Sequence, residues 1–493
     1  MSSRRGFLKR AAVAGASLAT AKRASQLWGA KHPGVEVNDV QSQLNATRVR
    51  RIEQPTSVDE LQAALRTAHD ERLAVSICGG RHAMGGQQFG TDAVLLDMTR
   101  MNRLLRLERQ RGLVEVEGGI EWPELIEQLV RMQQGDARPW GIRAKQSGVD
   151  RVTIAGSLAA NIHGRGLRFR PIVADVESFV LVDAQGKSHT CSRRENAELF
   201  SLAIGGYGLF GVIAEVTLRL VPRSKVERVV EVIPVKDLLT WVDRRVREGF
   251  LYGDCQYSTD LTVDPATHGG VFACYRPLSN DTPIPAAQRS LTNEEWAELY
   301  VLARTDRKKA FERYSTYYLS TSGHLDWSDT HQLAGNFDSY RKAVDPRRGT
   351  EMITEVYVAR DAFVPFLEAV RRDFLKHDVD MTYGTIRFIE RDAETFLAWA
   401  REPSVCIICN LHVVHTDDGK QKAAEDFRRI IDRAIEVGGR YFLTYHRWAE
   451  RRQVEACYPQ FVEFLRLKRK YDPSGMFQSD WWRHYQAIFA DKL

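Results

Sequence analysis

The residues best placed to do chemistry gather around glycines. Gly79-Gly80-Arg81-His82-Ala83-Met84-Gly85-Gly86-Gln87 sets four glycines around one arginine and one histidine. Glycine tolerates positive φ and lets the backbone approach a ligand closely. Successive N–H groups exposed by such a loop form a nest for an anion such as a diphosphate. The order is strand, glycine loop, then polar residues, which is not the Gly-x-Gly-x-x-Gly fingerprint that opens a helix. Taken alone, the loop reads equally well as an ordinary turn. Two further segments tip the balance. Ile154 to Gly164 offers Gly156, Ser157, Asn161, His163 and Gly164, and Gly205 to Ile213 offers Gly211, Val212 and Ile213. Three close-approach loops in one region predict an extended ligand lying across it.

These loops must sit at the ends of regular elements. Thr56 to Glu60 opens a helix, with Ser57 and Glu60 as a capping box and Leu61, Ala64, Leu65 and Ala68 at helical spacing. Strands are predicted at Leu73 to Ile77, Val94 to Leu96, Leu113 to Glu117, Ser178 to Val182 and Gly211 to Leu220, and a helix from Glu121-Trp122-Pro123, where Pro is tolerated near the first turn. From about Arg223 Tyr, Trp, Arg and His become frequent, and strands alternate with long helices such as Glu425 to Val437, stopped by Gly438-Gly439. Tyr383 to Glu390 reads as a strand with charges among apolar residues. In Thr354 to Tyr357, Glu355 and Tyr357 share one face of a strand. The fold class expected is α+β.

At this point the chain resembles the vanillyl-alcohol oxidase superfamily, whose members carry a PCMH-type FAD-binding domain, and within it aldonolactone oxidases and cytokinin dehydrogenases. The resemblance covers residues 50–222 and 440–485: the Pro55 to Leu61 opening, the glycine loop, Gly156-Ser157-Leu158-Ala159-Ala160-Asn161-x-His163-Gly164, Gly208 to Glu215, and Tyr471-Asp472-Pro473-x-Gly475-x-Phe477. It implies an FAD-binding PCMH-type domain over 45–222, an α/β substrate (cap) domain over 223–440, and a C-terminal segment, 441–493, completing the site. It implies FAD held by Gly79, Gly80, Arg81, His82, Gly85, Gly86 and Gln87 with the two later segments, and attached through His82, although Arg-His-Ala stands where Gly-His-Ser is commoner. Asp150 lies near where a bicovalent subgroup has Cys, so no second link is expected. It implies oxidation of a CH–OH group of a small organic substrate by hydride transfer to the flavin; amine dehydrogenation, C=C reduction or a non-catalytic flavin electron carrier are the alternatives. Arg387 matches the arginine of a Glu-x-Arg strand, as a flavin- or substrate-facing cation; the acid two residues earlier is Thr385 here. An ordinary salt bridge is the plain alternative for Arg387. His446, in Tyr441 to Trp448, is the candidate base, with a core histidine as its alternative; Glu355, Tyr357 and His412 are further candidates. The acceptor implied is oxygen or a redox carrier; in aldonolactone enzymes the residue before this His influences oxygen access, and the bulky Ile162 here leans towards the carrier.

The bulk numbers fit this reading. At 493 residues two domains are expected. The net charge of +6 is scattered, with no basic stripe, so no nucleic-acid partner is expected. No apolar run approaches the ~20 residues that span a bilayer. The start, Ser3-Arg4-Arg5-Gly6-Phe7-Leu8-Lys9 followed by an apolar stretch to Ala21, resembles a twin-arginine signal, implying removal of residues 1–21 and export to the periplasm. Seven scattered cysteines give no disulfide framework. Cys406-Ile-Ile-Cys409 has knuckle spacing, but on a strand positions three apart face opposite sides, so it reads as core and no metal site is expected.

Overall fold

The computed structural model describes residues 34–264, 267–334 and 348–493; the signal-like segment lies outside them. In the N-terminal part, Arg51–Glu53, Val94–Asp97 and Val75–Cys78 form a three-stranded parallel sheet. The helix Val58–Asp70 packs on it through Leu61, Leu65 and Ala68. Ser57 caps this helix by accepting from the Glu60 N–H at 3.2 Å, but the reciprocal half of the predicted box is displaced by one residue. The Glu60 carboxylate accepts from the Thr56 N–H at 2.8 Å and its hydroxyl at 2.9 Å. A five-stranded antiparallel sheet follows, in the order Ser188–Ser192, Val176–Val182, Val212–Arg219, Leu113–Glu117, Leu104–Glu108. The end of the chain returns to the first sheet: the Val75 N–H donates to the Met476 carbonyl and the Gln478 N–H to the Val75 carbonyl, both at 2.8 Å. Asp472, paired with buried Lys468, accepts the N–H groups of Met476 and Phe477 and shapes that return.

The remainder is an eight-stranded sheet in the order Leu325–Trp327, Lys225–Pro234, Gly269–Leu278, Tyr252–Tyr257, Met381–Ile389, Ser404–Val414, Gly349–Ala359, Arg440–Tyr441. Helices Phe363–His377 and Asp417–Glu436 pack near its Ser404–Val414 and Gly349–Ala359 end, burying Phe366, Val370, Phe374, Phe427, Ile430 and Ile431. The second helix begins eight residues before the predicted start, because Thr416 caps it through the Gly419 N–H. Its end is as expected: Gly438 takes φ +73°, which an L side chain resists. Among the described residues no helix is long and apolar enough to cross a membrane. Mixed helices and sheets make the class α+β.

Candidate active site

A cavity of about 860 Å³ runs between the glycine loops and one face of the eight-stranded sheet. Alternation selects that face. Asp254 and Gln256, Tyr383, Thr385 and Arg387, Ile408 and Asn410, and Glu351 and Ile353 all reach the cavity from alternate positions of four adjacent strands. The opposite wall carries eight of the expected residues, Gly79, Gly80, Arg81, His82, Gln87, Gly156, Gly211 and Ile213, and Arg387 faces them from the sheet. The other expected residues do not line the cavity, and each has a structural task instead. The Ser157 hydroxyl accepts from the Trp122 indole at 3.0 Å and donates to the Thr153 carbonyl at 2.9 Å. Asn161 ends a helix at φ 49° and donates to Asp392 at 2.9 Å. His163 bonds Glu355. Val212 is buried in its strand, and Gly86 turns the loop at φ +74°.

Several glycines answer to the protein as much as to a ligand. A Cβ on Gly80 would collide with the Arg151 carbonyl, one on Gly85 with the Tyr445 carbonyl, and one on Gly164 would lie 2.6 Å from the Lys145 carbonyl. The loops are therefore glycine-rich partly because two stretches of wall must touch. Gln87 fastens this contact: its amide donates to the carbonyls of Leu443 and Thr444 at 3.0 and 2.9 Å and accepts from the Gly85 N–H at 3.0 Å. Arg81, at φ 59°, pairs with Asp97 at 2.9 Å. Burial pulls His82 down to about 4 against the fields of Asp39 and Asp150, so its imidazole is neutral at pH 7 and keeps a nucleophilic lone pair.

Arg387 is buried, and its Nε and Nη1 meet no hydrogen-bond partner. Idle donors on a buried guanidinium are costly, and its position on the cavity wall fits it to an electron-rich group there. The sheet register explains what has become of the missing acid. Ile408 lies opposite both Glu355 and Thr385, so Glu355 sits in the same cross-strand row as Thr385, two strands away, or about 10 Å. Thr385 turns its hydroxyl to the Cys255 carbonyl at 3.3 Å. Glu355 itself is closed off from the cavity. It accepts from His163, from Tyr357 at 2.9 Å, from Tyr445 at 2.8 Å and from the Cys406 thiol at 2.9 Å. Burial opposes its ionisation, but His163 and these donors outweigh that and hold the carboxyl at about 2. Burial beside this carboxylate pushes the Cys406 thiol well up, so His163, Glu355 and Cys406 form a hydrogen-bonded knot. Cys409 points to the other side, 3.4 Å from the Tyr257 hydroxyl, as strand alternation requires.

His446 is misplaced for a base. It is buried, stacks on Trp448 with centroids 3.3 Å apart, and does not line the cavity. Burial, with Arg447 and His484 nearby, drives its pKa well below the usual histidine range. Beyond Tyr441 the segment leaves the strand and coils, and it is Tyr445 that reaches the wall. Sequence reasoning missed three features. Glu351 lines the cavity, accepting from His412 at 2.9 Å and from the Thr382 hydroxyl at 2.5 Å. Lys145, fully buried, donates to the carbonyls of Gln146, Val149 and Gln332 and to Asp150, shaping the 146–149 wall; burial lowers it to about 8. Arg165 and Arg228 also face the cavity. The strand alternation of Glu351 with Glu355 and of Arg228 with Val226 was visible in the sequence; which face met the cavity was not.

Residues 49–192 match a family described as an FAD binding domain, and residues 368–485 match D-arabinono-1,4-lactone oxidase. The chain is 30% identical to bovine L-gulonolactone oxidase over 86% of its length and 92% of the relative. It is 27% identical to L-gulono-1,4-lactone dehydrogenase of Mycobacterium tuberculosis, over 88% and 95%, and 21% identical to L-gulonolactone oxidase of Scyliorhinus torazame, over 87% and 93%. The cavity between the glycine loops and the sheet, the neutral His82 and the idle donors of Arg387 fit the flavin that such enzymes use. The chain thus belongs to the FAD-dependent aldonolactone oxidase and dehydrogenase family, flavoenzymes that oxidise a CH–OH group.

Proposed function

We propose that this enzyme oxidises a secondary alcohol with FAD attached through His82. The carrying observation is that neutral His82 and Arg387, with its Nε and Nη1 idle, face one cavity from opposite walls. The Gly79–Gln87 loop, Gly156 and Gly211 to Ile213 would hold the cofactor, which supplies the acceptor for a hydride equivalent. Arg387 binds an oxygen that gains charge during the reaction. Glu351, backed by His412, takes the hydroxyl proton; the pair can pass it on through the imidazole. Glu355 acts at one remove, by orienting the Tyr445 phenol. Ile162, on the wall, restricts oxygen and supports a redox carrier as electron acceptor. The signal-like N-terminus supports export to the periplasm, which sequencing the N-terminus of the exported protein tests.

Acid precipitation of the purified holoenzyme tests the tether. Yellow colour stays in the wild-type pellet and moves to the supernatant in His82→Ala. Yellow in the wild-type supernatant removes the covalent bond, and a colourless protein that takes up no FAD overturns the whole reading. In the same preparation Ile162→Gly speeds reoxidation of the reduced enzyme by air; an unchanged rate removes Ile162 from that role.

A further inference from the structure

We propose that the substrate is an organic oxyanion, a hydroxyl-bearing carboxylate or phosphate ester, whose charged group is taken between Arg165 and Arg228. The proposal rests on the alcohol-oxidising reading above and names its substrate class. Both guanidinium groups turn to one phenol: Arg228 Nε donates to the Tyr275 hydroxyl at 3.0 Å and Arg165 Nη1 reaches it at 3.5 Å. Their other partners are neutral too, Thr321 Oγ1 at 3.1 Å for Arg228 and Ser147 Oγ at 3.3 Å for Arg165. Two like charges thus converge on a single uncharged oxygen in a partly enclosed cavity, where repulsion is poorly screened.

Among the described residues neither arginine forms an ion pair, nor does Arg387. Elsewhere in the chain even exposed arginines find carboxylates, as Arg451 does with Asp491 at 2.7 Å and Arg452 with Asp432 at 2.7 Å. The acids nearest the cradle, Asp254 and Asp326, act on it only through their fields. The other acid of the wall, Glu351, is engaged by His412, and two acids outside the lining are engaged as well, Asp150 by Lys145 and Asp380 by Arg307. Among the described residues the wall thus sets three arginines, Arg165, Arg228 and Arg387, against one acid outside any ion pair, Asp254, and a planar guanidinium pair suits the multiply accepting oxygens of carboxylate or phosphate.

The cradle joins the end of the second glycine segment to the sheet: Arg165 follows Gly164 directly. Arg228 lies on the Lys225–Pro234 strand, and the Arg165 carbonyl accepts from the Gly253 N–H of the sheet at 2.8 Å. Over it stand rings from the helices Asn293–Thr305 and Arg307–Ser320. Tyr318 lies 5.8 Å from the Arg228 guanidinium and 4.3 Å from Tyr314, and Trp296 and Tyr300 extend the roof. That roof suits a planar or apolar body on the anion.

The test uses the holoenzyme and matched probes: 3-phenyllactate against its methyl ester, glycerol 3-phosphate against glycerol, and L-gulonate against L-gulono-1,4-lactone. Binding is read from perturbation of the flavin spectrum, and turnover from anaerobic bleaching. The charged member of at least one pair is expected to bind about tenfold or more tightly, the worth of a charge-assisted hydrogen bond. Arg228→Met and Arg165→Met each weaken the charged member at least tenfold more than the neutral one, and Arg228→Lys retains part of the preference. The pair that responds tells carboxylate from phosphate. Equal or tighter binding of every neutral member, or a preference that survives both methionine variants, overturns the proposal. If the charged probes bind through the arginines but no alcohol bleaches the flavin, the anion site stands and the alcohol-oxidising reading falls.

Discussion

Glu355 is the residue whose loss the structure prices most clearly. Four donors converge on one buried carboxylate: His163, Tyr357, Tyr445 and Cys406. Glu355→Gln keeps the shape but replaces one acceptor oxygen with an NH2 group that faces a donor. It also removes the charge opposite His163. Removing a buried charge that accepts several hydrogen bonds, each worth about 1.5–3 kcal/mol, costs about 3–5 kcal/mol in all. With an unfolding entropy of about 2.1 cal/mol/K per residue, a chain this long that melts as one unit loses about 3–5 °C of Tm. The pH dependence gives a second readout. The folded carboxyl is held at about 2, below the ~4.3 of an unfolded glutamate. Its stabilisation is therefore complete above the unfolded value and is lost as pH falls through the folded one. Thermal melts of wild type and Glu355→Gln at pH 7, 5 and 3 should show a gap that is steady from 7 to 5 and narrows by 3. A gap below about 1 °C at pH 7, or one that stays constant down to pH 3, would refute the reasoning that the carboxylate anchors this knot.

Two further predictions concern the chemistry. Arg387→Met should slow flavin reduction about 10²–10³-fold, the usual loss when one preorganised donor to a developing charge is removed; anaerobic stopped-flow checks it, and a change under about threefold rejects the role. His446→Gln should leave kcat within about twofold, because the ring stacks on Trp448 away from the cavity. A general base is worth about 10²–10⁴, so a fall of that size with an unchanged Tm would restore His446 as the base.

Local periodicity carried much of this protein. Leu113–Glu117 is the strand its alternation predicts, residue for residue, and Ser57 caps the helix it precedes. Gly438 ends a long helix as its φ demands. The three glycine-rich segments reach one cavity, because a chain that must pass close to its own backbone, or to a ligand, leaves a compositional mark. The match of motifs to FAD enzymes was legible for the same reason: each motif is short and contiguous.

What the tertiary structure alone decided is who faces whom across the fold. Alternation puts Glu351 and Glu355 on one face, yet only Glu351 reaches the cavity, because His163, from a segment far away in the chain, covers Glu355. His446 and Tyr445 are neighbours in sequence, and the coil after Tyr441 turns Tyr445 to the wall and leaves the histidine behind it. Arg165 and Arg228 read as two unremarkable basic residues until the sheet brings both to the hydroxyl of Tyr275. Sequence encodes the period of an element and the φ it must adopt, both local properties. Strand register and the packing of one layer on another are set by the sum of many distant contacts, and it is they that choose which side chains share a site.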